Sequence, residues 1–479
     1  MRNWLQQFGL IALGTCLGAM LCLTLSAVAQ LEAAPTSSLP VEELRTLTEV
    51  FGRIKSDYVE PVDDKKLITG AINGMVSDLD PHSAYLEGED FQELENETSG
   101  EFGGLGMEVG MEDGFVKVVS PIDDSPAARA NIKSGDLIVK IDDTMVKSMT
   151  LDDAIKLMRG KPGTTITLVI VRKGREKPLI VTLTRSIIKI QSVKSTLLEP
   201  GYAYLRITQF QEHTGENLVK AIDTLFKKNG GPVKGIVLDL RNDPGGLLNG
   251  AVAVSAAFLP KDVLVVYTDG RTEDSKMRLT ANPDNYLRGD GADYLQDLPA
   301  AIKSTPLVVL VNGGSASASE IVSGALQDHK RAVIMGQQTF GKASVQTILP
   351  LSNNAALKLT TARYYTPNGR SIQAKGITPD IVLDDGLSEQ DDSLKLHEAD
   401  LDRHLLDQFS TPTEKKTAPT GNVFNFKPAV RPKLTEEQER AAMKIEPGQV
   451  VSKNDYELSQ AVAFLKSGKI KIITLTAKN

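Results

Sequence analysis

Cysteine is almost missing from this chain: 479 residues contain two, Cys16 and Cys22, both inside one apolar segment near the N-terminus. Beyond residue 22 there is no thiol for a disulfide framework and no cysteine to ligate a metal. Histidine is scarce too, with five residues (His82, His213, His329, His397 and His404) spread too widely along the chain to suggest a metal motif. A basic excess is also lacking. Lys and Arg total 54 against 61 Asp and Glu, a net charge of -7, which argues against nucleic acid as a partner. No phosphate-binding glycine loop and no metal constellation can be read, so no cofactor is expected. Only one long hydrophobic run exists, and 41% hydrophobic residues over this length supply more than one core.

That single run, Phe8 to Ala29, follows Arg2 and ends in Ala27-Val28-Ala29, the small-x-small pattern of a signal-peptidase site. Residues 1–29 are therefore expected to be a signal peptide, and the chain to work in the periplasm or another extracytoplasmic space. The run is long enough to span a bilayer, so a retained anchor is the alternative. Leu13-Gly14-Thr15-Cys16 is a poor lipobox because Thr15 is large for its position.

After a Pro/Ser-rich spacer, Leu39 to Leu79 reads as helical from the spacing of Leu44, Leu47, Val50, Phe51 and Ile54. We place a helical N-terminal segment at 36–100, whose role is packing or dimerisation. Residues 101–188 change to short β-rich runs around one amphipathic helix, "LDDAIKLMRG". Residues 189–385 alternate strands and helices, the pattern of an α/β layer. The remainder, 386–479, is a charged extension with a Thr/Pro/Lys-rich linker from Ser410 to Lys433, a last helix from Tyr456 to Leu465 and a strand-like "IKIITLTA".

"PLVVLVNGGSASASEIVSGALQDHK" carries the chemistry: an apolar strand ends at Asn312, glycines make a turn, and a helix begins among serines. A serine there sits near helix N-terminal amides, which favour developing negative charge. Capping the helix is the plain alternative. A serine nucleophile needs a base, and the nearby histidine fails. In a helix from Ser317 to Lys330, His329 lies roughly 18 Å along the axis and about 120° around it. Asp328 faces the same side about 16 Å away, which suits a supporting role only. A lysine serves as base if burial keeps it neutral, and Lys342 stands in "QQTFGKASVQ" between two apolar runs. Ser186-Ile187-Ile188-Lys189 also fits an S-x-x-K pattern, but it lies in an alternating β-branched run and no K-T-G follows.

The stretch Gly313 to Gln346 closely resembles the carboxyl-terminal processing peptidases, the tail-specific proteases, through its S-A-S-A-S-E and T-F-G-K-x-x-V-Q elements. The resemblance spans roughly Leu39 to Leu383. It implies Ser317 as nucleophile, Lys342 as base, Gln346 beside them, and Asp328 as a supporting aspartate. "DLRNDPGGLL" matches the element supplying oxyanion-hole amides, implying the N–H of Gly245 or Gly246 together with that of Ala318. Ala343 and Asp243 stand where many relatives have glycine and asparagine. "DLDPHSAYL" and "YYTPNGRSIQAKGITPDI" also match and are read as structural, with His82 a turn or packing residue.

By the same comparison residues 101–188 resemble a PDZ domain. Gly104, Leu105, Gly106 and Met107 would form its carboxylate-binding loop, and Leu151, Ile155 and Met158 would face the bound peptide. Arg159 and Arg172 are candidates for gating. The implied fold is multidomain α+β, with a crotonase-like α/β serine protease core, the β-rich PDZ domain and helical terminal segments. The implied function is cleavage of proteins with exposed C-terminal tails by a homo-oligomeric serine endopeptidase, in some Gram-negative relatives with a lipoprotein adaptor. Two other readings stay open: an exported PDZ scaffold with a catalytically dead protease-like domain, and a crotonase-like acyl-transfer enzyme.

Overall fold

Strand residues of the α/β region alternate in where their side chains go, and that alternation builds the core. Ile236 and Leu238, then Leu307, Val309 and Val311, are buried with helices on one face of a sheet. Their neighbours Val237, Val308 and Leu310 are buried on the other. A strand apolar on both faces must be covered on both, so the sheet is the middle of three layers. A computed structural model describes residues 39–122, 124–147, 149–289, 291–352, 354–383, 396–407, 424, 426–431, 449–452 and 454–469. The signal segment, the greater part of the expected linker and the strand-like C-terminus lie outside these residues. No helix among the described residues is long and apolar enough to cross a membrane.

The chain divides into two compact units, 1–72 and 73–479. In the first, the expected continuous helix is interrupted. Helix α1 spans Val41–Asp57 and α2 spans Asp64–Ser77, the latter running across the division between units. Tyr58 is extended (ψ 145°) and Pro61 restrains the residue before it, so helix cannot continue through this stretch. The apolar stripe of α1 is exposed, with Val41, Leu44, Leu47 and Val50 between 44% and 64% accessible.

In the second unit, β1 (Ala84–Glu87) and α3 (Glu89–Ser99) precede a β-rich module. Its strands are β2 (Glu101–Gly104), β3 (Met107–Glu112), β4 (Phe115–Pro121), β5 (Leu137–Ile141) and β6 (Thr144–Met145). After α4 (Leu151–Met158) come β7 (Thr165–Val171), β8 (Leu179–Thr184) and β9 (Ser186–Lys189). The antiparallel order is β3-β4-β5-β7-β8, with β6 on β5 and a separate β2-β9 pair. Helix α4 begins at a reciprocal cap between Thr150 and Asp153. Ser186 and Lys189 lie on strand β9 paired with β2, and Lys189 bonds Glu101, so the S-x-x-K pattern forms no site.

The α/β region follows with β10 (Val193–Glu199), β11 (Tyr202–Ile207), α5 (Thr214–Asn229), β12 (Gly235–Asp239), α6 (Leu248–Phe258), β13 (Leu264–Gly270) and β14 (Arg278–Thr280). It continues through β15 (Leu307–Val311), α7 (Ala318–Asp328), β16 (Val333–Gly336), β17 (Ser344–Leu351), β18 (Ala355–Tyr365) and β19 (Ile381–Val382). The central sheet runs β10-β11-β12-β15-β16-β19 and is parallel from β11 onward. A second, antiparallel sheet runs β1-β18-β13-β14, with β17 on β18. Helices α5, α6 and α7 cover one face of the central sheet. The other is covered by Phe426 and by α8 (Tyr456–Lys466), which buries Leu458, Ala461, Phe464 and Leu465.

Helix α8 is fixed by charge as well as by apolar contact. Arg241, just after β12, bonds Asp239 and Asp455 at 2.6 Å each and Glu457 at 2.6 Å, while Tyr204 donates to Asp239 at 2.8 Å. Asp239 is fully buried. Arg241→Ala would leave that carboxylate with only Arg206 at 3.7 Å, a loss expected to cost up to about 3–5 kcal/mol. Denaturant midpoints at unchanged slope are the measure, and a loss under about 1 kcal/mol would show that the network does not hold the helix.

Candidate active site

Ser315, Ser317 and Ser319 alternate with alanines through the turn into α7, and their surroundings separate them. Ser315 Oγ donates to the Leu240 carbonyl at 2.8 Å and accepts the Asn312 N–H at 3.0 Å. Ser319 Oγ donates to the Asp243 carbonyl at 3.0 Å. Both hydroxyls tie the turn to the segment that follows β12. Among the described residues, the hydroxyl of Ser317 is tied to no backbone carbonyl. Ser317 also has φ 53° and ψ -110°, a conformation costing a non-glycine residue of order 1–3 kcal/mol.

What holds Ser317 in that conformation is Glu320, three residues on, which is completely buried. Its carboxylate accepts the N–H of Ser317 at 2.8 Å, the Gly341 N–H at 2.7 Å, the Lys342 N–H at 3.0 Å and the Thr339 hydroxyl at 2.5 Å. Burial pushes this carboxyl up to about 7, against those four donors, which pull it down. Tyr364 makes a second tie, its hydroxyl lying 3.0 Å from the Ser317 carbonyl and 2.6 Å from the Lys342 carbonyl. A third joins the Phe340 N–H to the Ser315 carbonyl at 3.0 Å. One carboxylate and one phenol thus bind the backbones of the serine turn and the lysine loop to each other.

Lys342 is partly buried, and among the described residues its ammonium nitrogen has no hydrogen bond or ion pair. Burial, with Lys358 nearby, pushes it down to about 8, opposed by Glu398, Asp80 and Glu320. A lysine held there is substantially neutral at mildly alkaline pH and can accept a proton. The Gln346 amide donates to Ser344 Oγ at 2.9 Å and Thr360 Oγ1 at 3.3 Å, beside a register shift in β17.

The glycine segment after β12 packs directly on the serine turn. A Cβ added to Gly245 would lie 2.8 Å from the Ala318 nitrogen and 2.8 Å from Ser317 Cβ, and one on Gly246 would strike the Phe210 carbonyl at 2.2 Å. The two amides are not equivalent. Gly245 N–H donates to Asp243 Oδ1 at 2.9 Å, whereas the Gly246 and Ala318 N–H groups have no partner among the described residues. Of the glycine alternatives, Gly246 therefore has the available donor. Asp243 itself is buried, which pushes its carboxyl up to about 7, and its Oδ2 has no partner among the described residues. Asp328 is at the far end of α7, where it accepts the Asn368 N–H at 2.9 Å and pairs with Arg370; it braces the 366–370 turn and does not meet the serine.

Sequence reasoning missed Glu320, Tyr364, Glu398 and Gln373. Ser317-Ala318-Ser319-Glu320 is an S-x-x-E capping box, a signal that was available for Glu320. His82, read as a turn or packing residue, sits in the turn before β1, and its ring also bonds Glu398 at 2.8 Å.

In the β-rich module, Gly104, Leu105, Gly106, Met107, Ile155, Met158 and Arg159 line a cavity of roughly 230 Å³ between β3 and α4. The N–H groups of Leu105 and Gly106 make no hydrogen bond among the described residues. Leu151 is not in the cavity lining; it packs against the module's core. Arg159 lies 5.1 Å over the Phe102 ring and pairs with Glu93 of α3 at 3.2 Å, with its Nε buried and without a hydrogen-bond partner among the described residues. Arg172 is spent elsewhere, in a two-pronged pair with Asp136 at 2.7 Å.

Residues 201–383 match the family profile of peptidase family S41, residues 103–183 that of the PDZ domain, and residues 22–90 that of the activating protease CtpB N-terminal domain. A carboxy-terminal-processing protease of Bartonella bacilliformis is 48% identical over 374 residues, 78% of this chain and 82% of its own. The carboxy-terminal processing protease CtpA of Bacillus subtilis is 33% identical over 404 residues, 84% of this chain and 81% of its own. Among solved structures, a photosystem II D1 C-terminal processing protease is 32% identical, covering 71% of this chain and 86% of its own, with a TM-score of 0.40.

The burial of Lys342 has a measurable cost. Below about 8 the lysine is charged in both folded and unfolded states, and the folded state bears the full desolvation cost. That cost fades as pH rises from about 8 toward the ordinary value of 10.5. Lys342→Met is therefore expected to raise stability by up to about 3 kcal/mol near pH 6 and by little near pH 10. A gain independent of pH in denaturant midpoints would mean that the lysine is not held neutral by burial.

Proposed function

The chain belongs to peptidase family S41, the serine-type carboxy-terminal processing proteases that carry a PDZ domain, and on that premise we propose that Ser317 and Lys342 form its catalytic dyad. The observation that carries this reading is the shared anchoring of the two residues: Glu320 and Tyr364 bind both backbones, while the neighbouring serine hydroxyls are already committed. Ser317 Oγ attacks the scissile carbonyl carbon as its proton passes to neutral Lys342 Nζ. The tetrahedral oxygen is taken by the N–H groups of Ala318, at the start of α7, and Gly246. The lysine ammonium then gives its proton to the departing amine. Water attacks the acyl-serine with Lys342 again as base, and the proton returns to Ser317 as the acid is released.

The PDZ cavity is the reading site for substrate tails. Free N–H groups at Leu105 and Gly106 suit a terminal carboxylate, the open edge of β3 suits an added peptide strand, and Ile155 and Met158 offer an apolar wall. Arg159, at the cavity and tied to α3, is the gating candidate that this geometry favours. The N-terminal leader supports export to the periplasm or another extracytoplasmic space, with the leader removed or retained as an anchor. The exposed apolar face of α1 suits association between copies, and a lipoprotein adaptor is part of the same proposal.

Ser317→Ala is expected to lower peptide cleavage by about 10⁴-fold or more. Ser315→Ala and Ser319→Ala should cost about 1–3 kcal/mol of stability each and still cleave. An active Ser317→Ala protein beside a dead, folded Ser319→Ala protein would move the nucleophile. Lys342→Arg should be inactive, because a guanidinium does not give up its proton. If the wild-type chain binds tails but cleaves nothing, the scaffold reading replaces the enzyme.

For the PDZ cavity, peptides ending in a free carboxylate on Ala, Val, Leu or Phe should bind at least about tenfold more tightly than their amides. Isothermal titration measures this, and equal affinities would remove terminal-carboxylate recognition.

A further inference from the structure

Beyond the region matching the peptidase family, residues 396–407 return to the site. His397 lies close to Gly313, and the Glu398 N–H donates to the Phe340 carbonyl at 3.1 Å, two residues before Lys342. Arg403 bonds the Ser77 carbonyl at 2.9 Å and Asp78 at 2.9 Å, and Asp407 pairs with Lys375 at 2.8 Å. The segment therefore closes over the lysine loop and is anchored at both ends.

Glu398 is its one completely buried residue, and a carboxylate there needs partners. His82 Nε2 lies 3.0 and 2.8 Å from its two oxygens, and Gln373 Nε2 donates to Oε1 at 2.9 Å. Gln373 in turn accepts the Ala343 N–H at 2.9 Å. The same residue is thus linked to the lysine loop on both sides: through its own amide to Phe340, and through its carboxylate and Gln373 to Ala343. We propose that Glu398 is a positioning residue for Lys342, bracing the loop on either side of the lysine and stabilising the ammonium formed when Lys342 takes the Ser317 proton. The proton stays on Lys342 throughout, and Glu398 remains a carboxylate.

Electrostatics agree with the geometry. Burial pushes the Glu398 carboxyl up, but the bonds from His82 and Gln373 and the charge of Lys342 hold it below its ordinary value, so it is ionised where the enzyme works. The charged groups facing Lys342 are Lys358 on β18, Asp80 on the loop before β1, Glu320 on α7 and Glu398 on the returning segment. Three of the four are acidic. Asp80 and Glu320 are spent on neighbouring backbone amides and hydroxyls, whereas Glu398 is bonded to two side chains alone.

This proposal rests on Lys342 being the base. The test is the pH profile of kcat and KM for wild type, Glu398→Gln, Glu398→Asp and His82→Gln, with thermal melts to establish folding. Loss of the carboxylate charge should move the acid limb of kcat about one unit lower and reduce the alkaline plateau up to about tenfold, with KM unchanged. Glu398→Asp should restore the limb, and His82→Gln should not move it downward. A folded Glu398→Gln protein with the wild-type limb, or a lower plateau without a shifted limb, overturns the proposal, as does a downward shift in His82→Gln. If Glu398→Gln does not fold, Gln373→Leu decides, since it cuts the brace to Ala343 and leaves the carboxylate charge: the limb should stay and the plateau should fall, and an unchanged plateau overturns the proposal. Turnover by Lys342→Met would instead defeat the reading of Lys342 as base, separately from the role of Glu398.

Discussion

A buried carboxylate that satisfies four donors at once is the constraint on which the site depends. Glu320 sits at the third position of α7, and its oxygens take the amides of Ser317, Gly341 and Lys342 with the Thr339 hydroxyl. None of these groups would be satisfied in an apolar interior without it. The strained backbone of Ser317 persists because one of those bonds is its own. The lysine loop, arriving after β16, is held to the serine turn by the same oxygens. Two residues with 24 positions between them become neighbours through a third side chain that takes no part in bond making.

The surrounding layers explain why this arrangement is rigid. Helix α7 is buried along its length between the central sheet and the antiparallel sheet that carries Tyr364. Gly245 packs so closely on the serine turn, and Gly246 on the Phe210 backbone, that a side chain at either would collide with backbone. The central sheet is covered on its far face by α8, and the ion network of Arg241 fixes that helix just beyond β12, three residues from Pro244 and the glycine pair. C-terminal residues therefore support the active site twice, once through α8 and once through Glu398.

In the β-rich module the same economy operates with less burial. An open strand edge, a helix with an apolar face and two free amides make a cavity whose chemistry matches a peptide terminus. Arg159, at one end of that cavity and paired with Glu93, is where occupancy of the groove meets α3. Arg172 has the same charge and no such position, because Asp136 holds it against the module itself.

The sequence by itself determined most of the element order, the strand faces and the family's serine and lysine motifs. Alternation in "KGIVLDL" and "PLVVLVN" fixes which residues face each layer, and a serine at a strand-to-helix turn is visible in Gly-Gly-Ser-Ala-Ser. The local capping pattern three residues from Ser317 could have marked Glu320 and went unread. The break at Tyr58 was missed because helical spacing on either side outweighed a lone proline. What only the tertiary structure decided is everything that rests on contacts distant in sequence. Glu398 meets His82 across 316 positions, Tyr364 meets Ser317 across 47, and Asp328 is turned away from the serine toward Arg370. Period and propensity act over a few residues. The choice between the Gly245 and Gly246 amides, like the bond of a turn histidine to Glu398, depends on which groups the packed layers leave without another donor or acceptor.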